Sequence, residues 1–169
     1  MKKLHKDKAL QLVAPSDEIK TAYIRKSESF LASARLLLDN DRFEEPVSMA
    51  YYSMYYSVLA LFFATGIKCE NHTAAIILLD EVFGIDSSAI ASAKTERIDK
   101  QYYVTSAPVR NEVVALIKAA ESFDAGLLDV TAVDDWEDRG IPEEPEGPAL
   151  TFLFNAVLPV SDIPLFFPV

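Results

Sequence analysis

The 169-residue sequence contains a single cysteine, Cys69, and only two histidines, His5 and His72. One cysteine excludes a disulfide framework within the chain and fits a reducing compartment. The three residues form no pair with the spacing of zinc ligands, so we expect neither a metal site nor a cofactor. We therefore expect a cytoplasmic protein that is stabilised by a hydrophobic core.

Basic residues are also scarce, since 16 lysines and arginines face 26 aspartates and glutamates and give a formal net charge of −10. Such a chain is not expected to bind nucleic acid broadly, because that binding depends on basic surface. From residue 134 onward, eight acids against Arg139 give −7, which leaves −3 for the first 133 residues. This distribution still allows a small local basic site.

Before residue 149 the sequence shows no clear membrane span, and the apolar segment after it is interrupted by three prolines and Asp162. We expect this segment to dock in extended form on the protein or on a partner; the alternative is a tail recognised by a membrane or a chaperone. No membrane partner is expected. The composition divides the chain into four parts: an arm (1–15), a helical bundle (16–133), an acidic proline-rich linker (134–148) and an apolar extended tail (149–169).

Residues 16–133 show the periodicity of amphipathic helices separated by short turns. Ser16 is a suitable N-cap, and Pro46 and Pro108 suit first helical turns. No β-strand pattern is evident before residue 148. The sequence therefore predicts an all-α fold, an antiparallel up-and-down bundle of four to five helices, with helices over 16–39, 44–66, 72–83, 88–100 and 108–128.

The stretch 44–66, EEPVSMAYYSMYYSVLALFFATG, is apolar on nearly every side. Tyr51 and Tyr55 are four residues apart, as are Tyr52 and Tyr56, so each pair lies on one helical face. A helix that is apolar all round must be buried all round. Four amphipathic neighbours are too few to cover it, so we expect part of it to lie at the seam of a homodimer.

From Tyr23 to about Leu128 the sequence resembles the HEPN family, the higher eukaryotes and prokaryotes nucleotide-binding domains. The resemblance rests on order and spacing in three pieces, which are SFLASARLLLDNDRFEEPVSMAYYSMYYSVLALFFATGIKCENHTAAI, ERIDKQYY and VVALIKAAESF. It implies an antiparallel helical bundle that is usually a homodimer. It also implies that the chain pairs with a minimal nucleotidyltransferase as a toxin–antitoxin pair, as many members do.

Active members of the family resemble metal-independent endoribonucleases with an Arg-x4–6-His motif. In such a motif a base removes the 2′-hydroxyl proton, and a guanidinium stabilises the charge that develops on the phosphate. Arg97 falls in the matching block, but Tyr102 and Tyr103 stand where the histidine would be. An unperturbed tyrosine titrates near pH ~10 and is a poor base at neutral pH. Enzymatic activity is therefore an open question.

The block around Arg97 is locally basic, with Lys94 and Lys100 nearby. The resemblance makes Arg97, Tyr102 and His72 the candidate catalytic residues, and Arg97, Lys94, Lys100 and Tyr103 the candidate ligands of a nucleotide or RNA phosphate. Each also has a structural explanation. In that explanation Arg97 pairs with a neighbouring acid, the two tyrosines close one end of the bundle, and His72 makes a structural hydrogen bond. The functional alternative for His72 is that it approaches Arg97 from the adjacent helix and supplies the missing imidazole.

Three functional hypotheses follow from these residues. The first is a dimeric interaction module that binds a nucleotidyltransferase partner and a nucleotide or RNA phosphate through Arg97. The second is a metal-independent endoribonuclease toxin, in which Arg97 holds the phosphate and His72 or Tyr102 transfers protons. The third is a membrane- or assembly-associated structural protein that depends on the apolar tail.

Overall fold

The computed structural model describes residues 10–102 and 107–132. These ranges form five helices and two short strands, in the order β1 (Leu10–Leu12), α1 (Asp17–Asp39), α2 (Glu44–Ala64), β2 (Ile67–Cys69), α3 (His72–Glu81), α4 (Ser88–Tyr102) and α5 (Arg110–Thr131). The helices pack together, and the predicted helical bundle is confirmed. The predicted linker (134–148) and tail (149–169) lie outside the described residues.

The helix boundaries follow local capping chemistry. The Ser16 hydroxyl accepts a hydrogen bond from the backbone N–H of Ile19, which confirms it as the N-cap of α1. Pro46 lies in the first turn of α2, as predicted. The fifth helix begins at Arg110, two residues after the predicted start at Pro108. Helix α4 continues to Tyr102 and so includes two residues beyond its predicted end.

Helix α2 lies at the centre of the bundle and contacts α1, α4 and α5. Tyr51, Met54, Val58 and Phe62 are completely buried along its length, which confirms the prediction of a core helix. By length and hydropathy alone α2 would be long enough to cross a membrane, but most of its apolar window is buried inside the protein. Its apolar character is thus accounted for by packing within the bundle.

The prediction that no strand precedes residue 148 is wrong at two places. Strands β1 and β2 pair in antiparallel fashion, with Leu10 opposite Cys69 and Leu12 opposite Ile67. Residues 67–71, predicted as a loop, therefore begin with a strand. Each strand has only three residues, too few to show the alternation by which a strand is recognised in a sequence. Their pairing depends on a contact between distant segments.

Gly66 joins α2 to β2 with a positive φ of 76°. A Cβ atom at this position would lie 2.6 Å from the carbonyl oxygen of Val13, so the backbone of the first strand leaves no room for a side chain. The close approach includes a hydrogen bond of 2.8 Å from the Val13 N–H to the Gly66 carbonyl. Glycine is therefore required here by both conformation and space.

We expect the Gly66→Ala variant to lower the free energy of unfolding by about 1–3 kcal/mol, because it combines the strain of positive φ with this steric conflict. Urea denaturation measures the change. Gly126→Ala is the matched control, since Gly126 lies inside α5 and a Cβ there meets no atom within 4 Å. The control should be stabilised by about 0.5–1 kcal/mol. Equal stability of Gly66→Ala and wild type would contradict the expectation.

A buried polar cluster connects α1, α2 and α5. The Asp124 carboxylate of α5, only 5% exposed, accepts hydrogen bonds from three serine hydroxyls. Ser57 donates to Oδ1 at 2.5 Å, while Ser27, at 3.2 Å, and Ser53 donate to Oδ2. Burial raises the pKa of Asp124 above its ordinary value, and the three serine donors oppose that rise. The cluster is thus a hydrogen-bonded connection through an otherwise apolar core.

Candidate functional site

Three helices bring aromatic and basic side chains together on one side of α2. Helix α2 contributes Tyr51 and Tyr52, α3 contributes its first residue, His72, and α4 contributes Arg97. Asn71 fixes the start of α3, because its side-chain oxygen accepts hydrogen bonds from the second and third N–H groups that follow it. The position of the imidazole therefore depends on a capped helix end rather than on a loop.

The His72 imidazole is enclosed by tyrosine rings. It lies parallel to the Tyr55 ring at a centroid distance of 3.9 Å, and its Nδ1 is 2.5 Å from the hydroxyl oxygen of Tyr51. Burial lowers the pKa of His72, and the charges of Arg97 and Lys94 lower it further. The imidazole is consequently held in its neutral form at neutral pH.

The hydroxyl of Tyr51 is hydrogen-bonded to one of the two ring nitrogens of His72. Burial raises the pKa of Tyr51, so its hydroxyl stays protonated, and it donates to Nδ1 or accepts from it according to the imidazole tautomer. A neutral imidazole that accepts at Nδ1 carries its proton on Nε2. Among residues 10–100 and 107–132, no protein group makes a hydrogen bond to Nε2. In that tautomer Nε2 is a donor toward a ligand, and in the other tautomer it is a proton acceptor.

The Arg97 guanidinium stacks on two tyrosines, with its central carbon 5.4 Å from the ring centre of Tyr51 and 4.9 Å from that of Tyr52. Its buried Nε has no hydrogen-bond partner in the described part of the chain. The alternative interpretation of Arg97, an ion pair with a neighbouring acid, is not observed there either. A buried N–H without a partner is costly, so this donor calls for an acceptor.

Lys94 lies one helical turn before Arg97 and is half-buried. Its Nζ donates to the Thr73 hydroxyl at 2.5 Å, which ties the side chain to the start of α3 beside His72. Burial lowers the pKa of Lys94, and the Arg97 charge adds to that effect. No carboxylate is among the groups that shift the pKa of either His72 or Lys94. The cluster of Arg97, Lys94 and His72 therefore favours the binding of an anion.

The structure brings together three of the predicted site residues, Arg97, Lys94 and His72. Lys100 also lies on α4. Burial and the charge of Glu112 raise the pKa of Glu96, and the charge of Lys100 opposes that rise. Tyr102 is the last residue of α4, and Tyr103 lies outside the described residues. Among the described residues, no group of three or more histidine, cysteine or acidic side chains is arranged to hold a metal ion.

The sequence analysis placed Tyr51, Tyr52 and Tyr55 on a helix that is buried all round, and it missed their direct contacts with His72 and Arg97. Their four-residue spacing shows which tyrosines share a helical face, but it does not show which face α3 and α4 cover. That information comes only from packing. Tyr55 also lines a cavity of about 200 Å³ together with Tyr23, Leu59 and Phe63.

Comparison with known protein families identifies the domain. The profile of the HEPN domain matches residues 21–126, which is more than half of the chain. The chain belongs to the HEPN family. The matched range contains every residue of the cluster described above, and it ends before the proline-rich linker.

Three relatives of this HEPN protein come from Methanocaldococcus, Pyrococcus and Thermotoga species. A protein named "Putative toxin MJ0605" from Methanocaldococcus jannaschii is 27% identical over 109 residues, which is 60% of this chain and 81% of that protein. Two proteins named UPF0332 are 33% and 29% identical, from Pyrococcus horikoshii and Thermotoga maritima respectively. Those alignments span about half of each chain, with 50% and 46% of this one and 55% and 52% of the relatives.

Proposed function

We propose that this HEPN protein binds the phosphate of a nucleotide or of RNA at the cluster of Arg97, Lys94 and His72. The observation that carries the proposal is the buried, unpartnered Nε of Arg97, on a guanidinium that two tyrosine rings hold in place. Arginine is suited to this role, because it is permanently charged and presents donors in a planar fork that matches phosphate.

The neighbouring groups are consistent with a phosphate ligand. Lys94 supplies a second cation, and His72 supplies a neutral donor in the tautomer that carries its proton on Nε2. The charge of Arg97 lowers the pKa of Lys94, both charges lower the pKa of the imidazole, and a bound anion would relieve this repulsion. The positive cluster is local, since the whole chain carries a formal charge of −10.

A comparison of a nucleoside with its 5′-monophosphate tests phosphate recognition directly. Isothermal titration of the full chain with adenosine and with its monophosphate separates the contribution of the phosphate from that of the base. Binding of the monophosphate alone, weakened by added salt, is the expected result. Equal affinity for both compounds, or no binding of either compound or of a short RNA, would contradict the proposal.

The same proposal includes a protein partner. The chain acts as a homodimeric module that pairs with a minimal nucleotidyltransferase in a toxin–antitoxin-like pair. Support comes from the family membership and from the archaeal relative whose name refers to a toxin. Co-expression with the nucleotidyltransferase encoded nearest to its gene, followed by purification through a tag on one chain, should recover both proteins. A monomer that retains no such partner would contradict this part.

The second candidate function is a metal-independent endoribonuclease, favoured by the approach of His72 and Arg97 to the same tyrosine. It requires the other imidazole tautomer, in which Nδ1 donates to the Tyr51 hydroxyl and Nε2 is free to accept a proton. Cleavage of RNA in EDTA by wild type, with loss in both His72→Gln and Arg97→Ala, would support this function. No cleavage by wild type, or equal cleavage by all three proteins, would exclude it.

A further inference from the structure

A second cation–aromatic contact lies beside the Arg97 site on the outer side of α2. The Nζ of Lys26, an exposed residue of α1, lies 4.2 Å from the ring centre of Tyr56. Tyr56 is one helical turn after Tyr52, and the two ring centres are 6.2 Å apart. Since Arg97 covers Tyr52 and Lys26 covers Tyr56, two cations stand over neighbouring rings.

Phe30 of α1 completes this surface, because its ring centre is 5.7 Å from that of Tyr52 and 5.2 Å from that of Tyr56. All three rings are half-buried, in contrast to the fully enclosed Tyr51. We call these residues the aromatic stripe: Phe30, Tyr52 and Tyr56, with Arg97 and Lys26 above the two tyrosines. It contains no acidic residue, although acids outnumber bases in the whole chain.

The two cations of the aromatic stripe differ from the basic residues that are paired with acids. Five lysines and arginines form ion pairs with carboxylates, namely Lys20, Arg35, Arg42, Lys68 and Arg110. Lys26 and Arg97 form none within residues 10–102 and 107–132. A cation on an aromatic face keeps its charge and leaves its donors toward solvent available. Such a surface complements a ligand that carries anions and flat rings.

We propose that the aromatic stripe binds a single-stranded nucleic acid chain that extends from the phosphate held at Arg97 toward Lys26. Surfaces that combine basic groups with aromatic rings bind single strands through phosphate contacts and base stacking. Two adjacent cation–aromatic pairs suit a ligand with repeating phosphates and bases better than a single mononucleotide. This inference rests on the proposed phosphate site and adds a second contact point to it.

The test compares a ligand that reaches only the first contact with one that reaches both. Dissociation constants are measured for adenosine monophosphate and for a six-nucleotide oligoadenylate RNA, with the DNA hexamer as a second arm. The proteins are wild type, Lys26→Ala, Tyr56→Leu, Arg97→Ala and a charge-matched control, Lys118→Ala, which removes an exposed lysine of α5. Circular dichroism confirms that each variant is folded.

Lys26→Ala should weaken binding of the hexamer roughly three- to fivefold. The slope of the logarithm of the association constant against the logarithm of the salt concentration should become shallower by about 0.7, as expected for the loss of one phosphate contact with a single strand. Tyr56→Leu should weaken it about tenfold, and Tyr56→Phe should restore it, because stacking needs the ring. Neither Lys26→Ala nor Tyr56→Leu should change binding of the monophosphate, whereas Arg97→Ala should weaken binding of both the monophosphate and the hexamer.

The DNA hexamer shows which kind of strand the aromatic stripe binds. If Lys26→Ala and Tyr56→Leu weaken binding of the RNA hexamer alone, the stripe is specific for RNA. If they weaken binding of both hexamers, the stripe binds single strands in general.

Hexamer affinities of Lys26→Ala and Tyr56→Leu that equal those of wild type and Lys118→Ala would overturn the inference. If Arg97→Ala still weakened the monophosphate, the phosphate site would survive this failure. If Arg97→Ala changed neither ligand, the proposed function itself would fail. The alternative occupant of the aromatic stripe is a second copy of the chain, and analytical ultracentrifugation tests it. If Lys26→Ala lost self-association but kept the hexamer affinity of wild type, the stripe would be a contact between two copies, and the inference would be overturned.

Discussion

The Arg97→Ala variant is expected to bind a nucleoside monophosphate about ten- to a hundredfold more weakly than wild type, the range expected for loss of a hydrogen-bonded charged group. Arg97 combines a buried donor with a fixed orientation over Tyr51 and Tyr52, so its loss removes both the charge and the geometry of the site. Arg97→Lys should recover only part of the affinity, because lysine keeps the charge but not the planar fork.

Arg35→Ala is the control for this experiment. Arg35 is an exposed arginine of α1 that pairs with Glu121 of α5, outside the cluster. Its removal changes the net charge by the same amount and should leave the affinity within about a factor of two, apart from weak long-range screening effects. Equal weakening in both variants would mean that only net charge matters, and the assignment of the site to Arg97 would be wrong.

The second large effect concerns stability. Asp124→Ala is expected to lower the free energy of unfolding by about 1–3 kcal/mol, because the hydroxyls of Ser27, Ser53 and Ser57 lose their common acceptor in the core. Asp129→Ala, an exposed position on the same helix, is the control and should stay within about 0.5 kcal/mol of wild type. Urea denaturation at constant pH measures both. Equal unfolding free energies for the two variants would contradict a structural role for the cluster.

The pH dependence of this cluster has a defined sign. Because the pKa of Asp124 is raised by folding, the folded protein binds more protons than the unfolded chain above about pH 4. The contribution of Asp124 to the free energy of unfolding therefore falls as pH rises through the window between the unfolded and folded pKa values. Asp124→Asn removes this contribution, so its stability relative to wild type should increase from about pH 4 upward. A difference that is constant with pH would contradict the raised pKa.

Most of the fold could be predicted from local signals. Helix α1 carries a capping serine and a regular apolar stripe, and α2 is apolar all round, so both were placed close to their observed bounds. Strands β1 and β2 could not be found, because three residues give no periodic signal and the pairing joins segments more than fifty residues apart. The start of α5 was misplaced because Pro108 precedes the N-cap instead of following it.

The candidate site was predictable in part. Arg97 and Lys94 follow from the basic block in the sequence, and the resemblance drew attention to His72 at the start of α3. The sequence does not show that α3 and α4 pack on the same two tyrosines, and it therefore leaves the partner of each group undetermined. Asp124 gave no signal at all, since an acid on a helix face is normally exposed and its three serine partners lie on other helices.

Titration of the His72 imidazole by NMR, with and without adenosine monophosphate, tests the central claim most directly. A His72→Gln spectrum identifies its signal against that of His5. We predict a pKa below the ordinary value of about 6.5 in the free protein, because burial and the charges of Arg97 and Lys94 disfavour the imidazolium. Bound phosphate should raise this pKa, and Arg97→Ala should raise it without ligand and abolish the response to ligand. An imidazole that titrates near 6.5 and does not respond to the nucleotide would contradict the phosphate site.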